Sequence, residues 1–236
     1  MGKREAGQSA PQRHSQRRLV AGALLTLCAA AGAGLLLAAF TMEPPRPPQP
    51  EPVANATSAA SATPASRAPV TVAPSPSASP QAASLARAEP TKIEIPAIGV
   101  SAGLLSLGLD AKNELAVPPF DKAEMAGWYN LGASPGELGS AVIVGHVDSE
   151  KLGPAVFFNL GKLKPGDLIK VHRRDGVVAQ FKVDSVRSVL KSQFPTEEVY
   201  GGFEQATLKV VTCGGEYDKK NKNYLSNVVV FATYLP

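Results

Sequence analysis

Two residues of this 236-residue chain have the chemistry of a nucleophile and its proton partner: Cys213 in VVTCGGEY (210–217) and His146 in SAVIVGHVDS (140–149). A thiol becomes a strong nucleophile when a nearby positive group favours the thiolate, and a histidine within hydrogen-bond reach supplies one. Each residue follows a short apolar run, AVIV or LKVV, that gives way to glycine and polar residues, the pattern of a buried strand surfacing at a rim. Gly214 and Gly215 let backbone or substrate approach the sulfur closely. Cys213 is the only cysteine after the first 30 residues. An odd thiol points to intermolecular pairing or a reactive group where the compartment is oxidising, against the plainer reading of a small buried apolar side chain.

The other candidates are weaker. His14 lies in a basic tail, and His172 sits on a strand-like run beside Arg173 and Arg174. With side chains alternating along a strand, Asp148 shares a face with His146 and could orient it. One cysteine and two histidines beyond the tail lack the paired ligand spacings of a zinc site, so no metal and no cofactor is expected. A papain-type protease is disfavoured, because it places its cysteine before its histidine in the chain.

For the two residues to act together, strand ends 67 positions apart must converge. The segments around them are short and rich in β-branched residues: 92–98, 140–147, 168–172, 177–183, 206–211 and 227–235. Turn signals separate them, including Asp175-Gly176, which reads as a tight hairpin. Many short strands without a long amphipathic helix predict a mainly β fold, a closed barrel with one or two short helices, one of them at AVFFNLGKL (155–163).

Ahead of this domain, expected over 91–236, the composition changes twice. Residues 1–18 carry Lys3, Arg4, Arg13, Arg17 and Arg18 against Glu5, a local charge of +5 − 1 = +4 that equals the charge of the whole chain. The basic excess is therefore confined to one tail, and nucleic acid is not an expected partner. Residues 19–40 are uncharged and, as a helix, would span about 33 Å, enough for a hydrocarbon core of about 30 Å. That length exceeds the apolar region of a cleaved signal peptide, and Leu27 before Cys28 does not suit a lipoprotein site. The expectation is a transmembrane signal anchor with a cytoplasmic tail and everything after Phe40 outside the cell. Residues 41–90 hold 12 of the 21 prolines and are expected to form a disordered, extended extracellular linker.

The stretches IEIPAIGV, VPPFDKAEMAGWYNLGASPGELGSAVIVGHVDS, FPTEEVYG and LKVVTCGGEYDKKNKNYLSNVVVFATYL, in this order, resemble a sortase, most closely the class F sortases of actinobacteria. The resemblance runs from about Thr91 to Leu235. It implies a sortase β-barrel and a cysteine transpeptidase that cleaves an LPXTG-like sorting signal after its threonine. Cys213 would form a thioester and His146 would protonate the leaving amine. The acceptor would be an amine of a cell-wall precursor or a pilin lysine. It also implies an arginine in a Tyr-Arg-Asp-Asn stretch, but this chain reads Tyr224-Leu225-Ser226-Asn227. Asn227, Lys222 or backbone N–H groups are the candidate replacements, with Asn227 favoured because a strand start is held rigidly. The missing arginine leaves a second expectation, a sortase-like binding module or impaired enzyme. A purely structural spacer with an inert thiol is a third.

Overall fold

The computed structural model describes residues 45–51 and 84–236. Arg46–Pro236 form one compact unit, and Met1–Pro45 is a separate unit of which only Pro45 is among the described residues. The basic tail and the expected span at 19–40 lie outside the described residues. Among the described residues no helix is long and apolar enough to cross a membrane.

The described residues form ten strands: β1 (Pro90–Ile95), β2 (Val100–Leu107), β3 (Ala126–Tyr129), β4 (Gly139–Val144), β5 (Asp148–Ser149), β6 (Gly153–Pro154), β7 (Leu168–Arg173), β8 (Val178–Leu190), β9 (Ala206–Asp218) and β10 (Asn223–Leu235). Eight of them close a barrel in the order β1-β2-β3-β4-β9-β10-β8-β7, while β5 and β6 pair separately. The barrel is antiparallel except at β2–β3 and β4–β9, which run parallel. The fold is thus the mainly β closed barrel expected, with few helical turns.

The core explains the strand pattern. Ile93, Ile95, Ile143, Phe157, Leu160, Ile169, Phe181, Leu208, Val210, Val228 and Val230 are buried in one interior cluster. Along β8 buried and exposed residues alternate, as a strand with one wet face requires. Every residue of β4 is buried, by contrast, because a second cluster of Val142, Val144, Val199, Val211, Val229 and Phe231 covers the outer face of β4, β9 and β10. Val199 comes from α1 (Thr196–Tyr200), the one α-helix among the described residues, and its carbonyl accepts a hydrogen bond from Ser140 Oγ at 2.6 Å. The unbroken apolar runs before His146 and Cys213 therefore reflect strands buried on two faces.

β7 and β8 pair around Asp175-Gly176, with Gly176 at φ +82°. The helix expected at 155–163 is instead a 3-10 turn, Leu160–Lys162. Phe157 and Leu160, three apart, are both fully buried in the interior cluster, a spacing that a 3-10 turn brings into line. Two described stretches of the expected linker are not free spacer. Residues 84–89 lie along the barrel, with Leu85 N–H on the Gly136 carbonyl at 2.7 Å and the buried Arg173 guanidinium on the Ala86 carbonyl at 2.6 Å. Residues 46–51 also belong to the compact unit.

Candidate active site

β4 and β9 run side by side in the same direction, with Val144 level with Val211. The pairing continues past the end of β4: Gly145 N–H donates to the Val211 carbonyl at 3.1 Å, and Thr212 Oγ1 donates to the Gly145 carbonyl at 2.8 Å. His146 follows Val144 by two residues, just past the end of β4, and Cys213 follows Val211 by two residues on β9. On the other side of β9, Cys213 is paired directly with Asn227 of β10.

The three side chains share a face. Val144, Val211 and Val229 form the row one step back along the same three strands and lie in the outer cluster. Alternation then brings His146, Cys213 and Asn227 out on that face, the sulfur in the middle. All three are half-buried. The floor behind them is apolar, bounded by Leu107, Leu115, Tyr129, Val189, Phe194 and Tyr200. A cavity of about 360 Å³ lies elsewhere, between the β1–β2 turn and residues 152–159, and none of the three residues lines it.

His146 is held from the β2–β3 connection. Its Nε2 is 2.6 Å from the Pro118 carbonyl, and its ring stacks on Phe120 with centroids 4.5 Å apart and planes 22° from parallel. A carbonyl oxygen only accepts, so Nε2 carries a proton and Nδ1 is the nitrogen at which a proton can come and go. This partner, a backbone carbonyl delivered by Pro118-Pro119-Phe120, was not legible from residue spacing.

The remaining sequence candidates are placed differently from one another. Asp148 accepts a hydrogen bond from Tyr224 Oη on β10, while the partner of His146 Nε2 is the Pro118 carbonyl. Burial, and then the hydrogen bond and charge of Asp148, push the Tyr224 phenol well above its ordinary range, and the nearby Cys213 adds to that shift. Lys222 is 74 % exposed and lies 3.7 Å from the equally exposed Glu150, away from the row. Leu225 falls at a register break between Tyr224 and Ser226 and is 44 % exposed. His172 belongs to β7, with Nε2 3.2 Å from Glu94 on β1. Among the described residues no group of three or more His, Cys, Asp or Glu is arranged to hold a metal ion.

The sortase domain family matches residues 93–235. Similar solved structures include Streptococcus agalactiae sortase C1 in complex with MTSET, 19 % identical over 63 % of this chain and 70 % of that one, with a TM-score of 0.48. Sortase C-1 from Actinomyces oris is 20 % identical over 62 % and 73 %, TM-score 0.49. Sortase A from Corynebacterium diphtheriae is 21 % identical over 64 % and 62 %, TM-score 0.49. No curated protein matches the chain. The matched range takes in both strands that carry the thiol and the imidazole, together with nearly the whole barrel, and on that match the chain belongs to the sortase family.

Proposed function

We propose that the protein is a membrane-anchored cysteine transpeptidase of the class F type, acting on surface proteins that carry an LPXTG-like sorting signal. The observation that supports this most is the parallel pairing of β4 with β9, in which Val144 and Val211 are partners and His146 and Cys213 each follow two residues on. In the reaction, the Cys213 thiolate adds to the carbonyl carbon of the signal's threonine. The C–N bond to the next residue breaks, and the departing amine takes a proton from His146, leaving a thioester. An incoming amine from a cell-wall precursor or a pilin lysine then attacks, gives its proton to His146 and releases the thiolate. Two acyl transfers replace one difficult amide exchange.

Asn227, directly across from Cys213, is assigned the stabilising role that arginine fills in the resembling family, with its side-chain amide donating to the developing oxyanion. Lys222, paired at the surface with Glu150, is set aside. The apolar floor of Val144, Val211 and Val229 suits the leucine and proline of the signal. In the cell, residues 1–18 form the cytoplasmic tail, 19–40 the anchor, 41–90 the extracellular connection and 91–236 the catalytic domain.

The test is incubation of the full chain, in mild detergent, with an LPXTG peptide and hydroxylamine or an amine acceptor. A mass increment on Cys213 and an amide product are expected. Peptide binding without an acyl adduct would instead make the protein a recognition module, the reading that Leu225 at the arginine's place favours.

A further inference from the structure

Residues Arg46–Glu51, Arg-Pro-Pro-Gln-Pro-Glu, are seated on the barrel between the 3-10 turn Leu160–Lys162 and the strands that follow Cys213 and precede Leu190. We propose that the barrel carries a second peptide-binding site, built for an extended proline-rich segment with a central glutamine, and that its occupant is this chain's own Arg46–Glu51.

The glutamine is the anchor. Gln49 Oε1 accepts the Gly215 N–H at 2.9 Å and the Ser188 hydroxyl at 3.4 Å, while its Nε2 donates to the Pro47 carbonyl at 3.1 Å, which sets the amide's orientation. The β9–β10 register shifts between Tyr224 and Ser226, so Gly215 lies in a bulge where the ladder does not take its hydrogen. Gln49 supplies an acceptor at this break in the ladder.

The floor is cut to fit. A Cβ on Gly161 would sit 2.2 Å from the Pro48 carbonyl oxygen, although Gly161 is not among the residues of positive φ. Glycine is therefore required at 161 for the space Pro48 occupies and not for backbone conformation. A Cβ on Gly214 would lie 3.5 Å from the Gln49 amide and 2.7 Å from Val228 Cγ2, on the interior side of β9. Lys164 and Glu51, 3.4 Å apart and both exposed, add a weak polar end. Prolines at 47, 48 and 50 hold the segment extended before it binds, so little chain entropy is lost on seating it.

Gly214 faces away from the row of His146, Cys213 and Asn227, so the segment braces the thiol's strand from behind and does not lie over the sulfur. These contacts are independent of the reaction Cys213 performs, and the readouts need no activity. In hydrogen–deuterium exchange on the full chain in detergent, Gln49→Ala is expected to speed exchange at Gly215 about 5- to 10-fold, with β1 and β2 unchanged. Gly161→Val, which crowds out Pro48, is expected to do the same. Added to the Gln49→Ala chain at millimolar concentration, the free peptide Arg-Pro-Pro-Gln-Pro-Glu is expected to restore protection at Gly215, and the same peptide with alanine for glutamine is not. Unchanged exchange at Gly215 in Gln49→Ala, or equal protection by the two peptides, would overturn the assignment.

Discussion

Tyr224 donates its hydroxyl hydrogen to Asp148, tying the start of β10 to the strand that begins two residues after His146. The bond spans 76 residues of chain and joins the β9–β10 hairpin, which carries Cys213, to the segment leaving the histidine. Tyr224→Phe removes a hydrogen bond to a charged group at little change in volume. A loss of about 1.5–3 kcal/mol is expected, measurable as a lowered midpoint in chemical denaturation.

The same pair sets an alkaline limit. The Tyr224 phenol is raised above its ordinary value of 10.0 in the folded protein, first by burial and then by Asp148. A group whose folded pKa is raised contributes stability that is whole below its unfolded pKa and is lost as pH climbs through the folded one. Stability is therefore expected to be insensitive to this group through neutral pH and to decline above about pH 10. Tyr224→Phe should flatten that decline in thermal scans taken between pH 9 and 11.

Asn227 and Lys222 separate cleanly by mutation. Asn227→Ala is expected to slow thioester formation on Cys213 about 100-fold, the scale of one lost oxyanion donor. Lys222→Ala, which breaks only an exposed pair with Glu150, should stay within about twofold. Rapid-quench mass spectrometry of the acyl adduct measures both.

Phe120 covers the imidazole, and its removal should free the ring from its stacked position. Stacking of this kind is worth about 0.5–1.5 kcal/mol, so Phe120→Ala is expected to lower kcat roughly 2- to 12-fold with a smaller change in KM. A change confined to KM would show that Phe120 touches the peptide and does not hold His146.

Gly145 sits between the apolar run of β4 and His146, and a Cβ there would meet Phe157 Cδ2 at 2.6 Å and Val156 Cγ1 at 2.7 Å. Gly145→Ala overpacks this contact. A loss of about 1–3 kcal/mol is expected, visible in Tm, with a loss of activity beyond what unfolding explains because the histidine is displaced with the backbone.

The barrel was legible because its signals are local: apolar β-branched runs and turn residues, with glycines beside His146 and after Cys213. β2 and β3 were not. Val100–Leu107 carries Gly103 and two serines, and Ala126–Tyr129 is only four residues long, too short for a period to register. β8, β9 and β10 run to 13 residues each, beyond the apolar cores that announced them, because long hairpins continue pairing through polar residues at the rim. The grip of Pro118 on His146 uses a backbone carbonyl, which leaves no mark in residue type. The seating of Arg46–Glu51 was hidden for a related reason. Proline content reports stiffness, and an extended segment keeps its carbonyls and side chains available for whatever surface fits them.

The parallel pairing of β4 with β9 has a consequence for biogenesis. Sixty-one residues separate Val144 from the next strand that must lie beside it, starting at Ala206, and β7, β8 and α1 all fall in between. Such a distant contact closes late, since most of the loop entropy must be lost before the pairing returns anything. The segments that carry His146 and Cys213 are therefore brought side by side only when the barrel shuts, in a molecule that has finished folding.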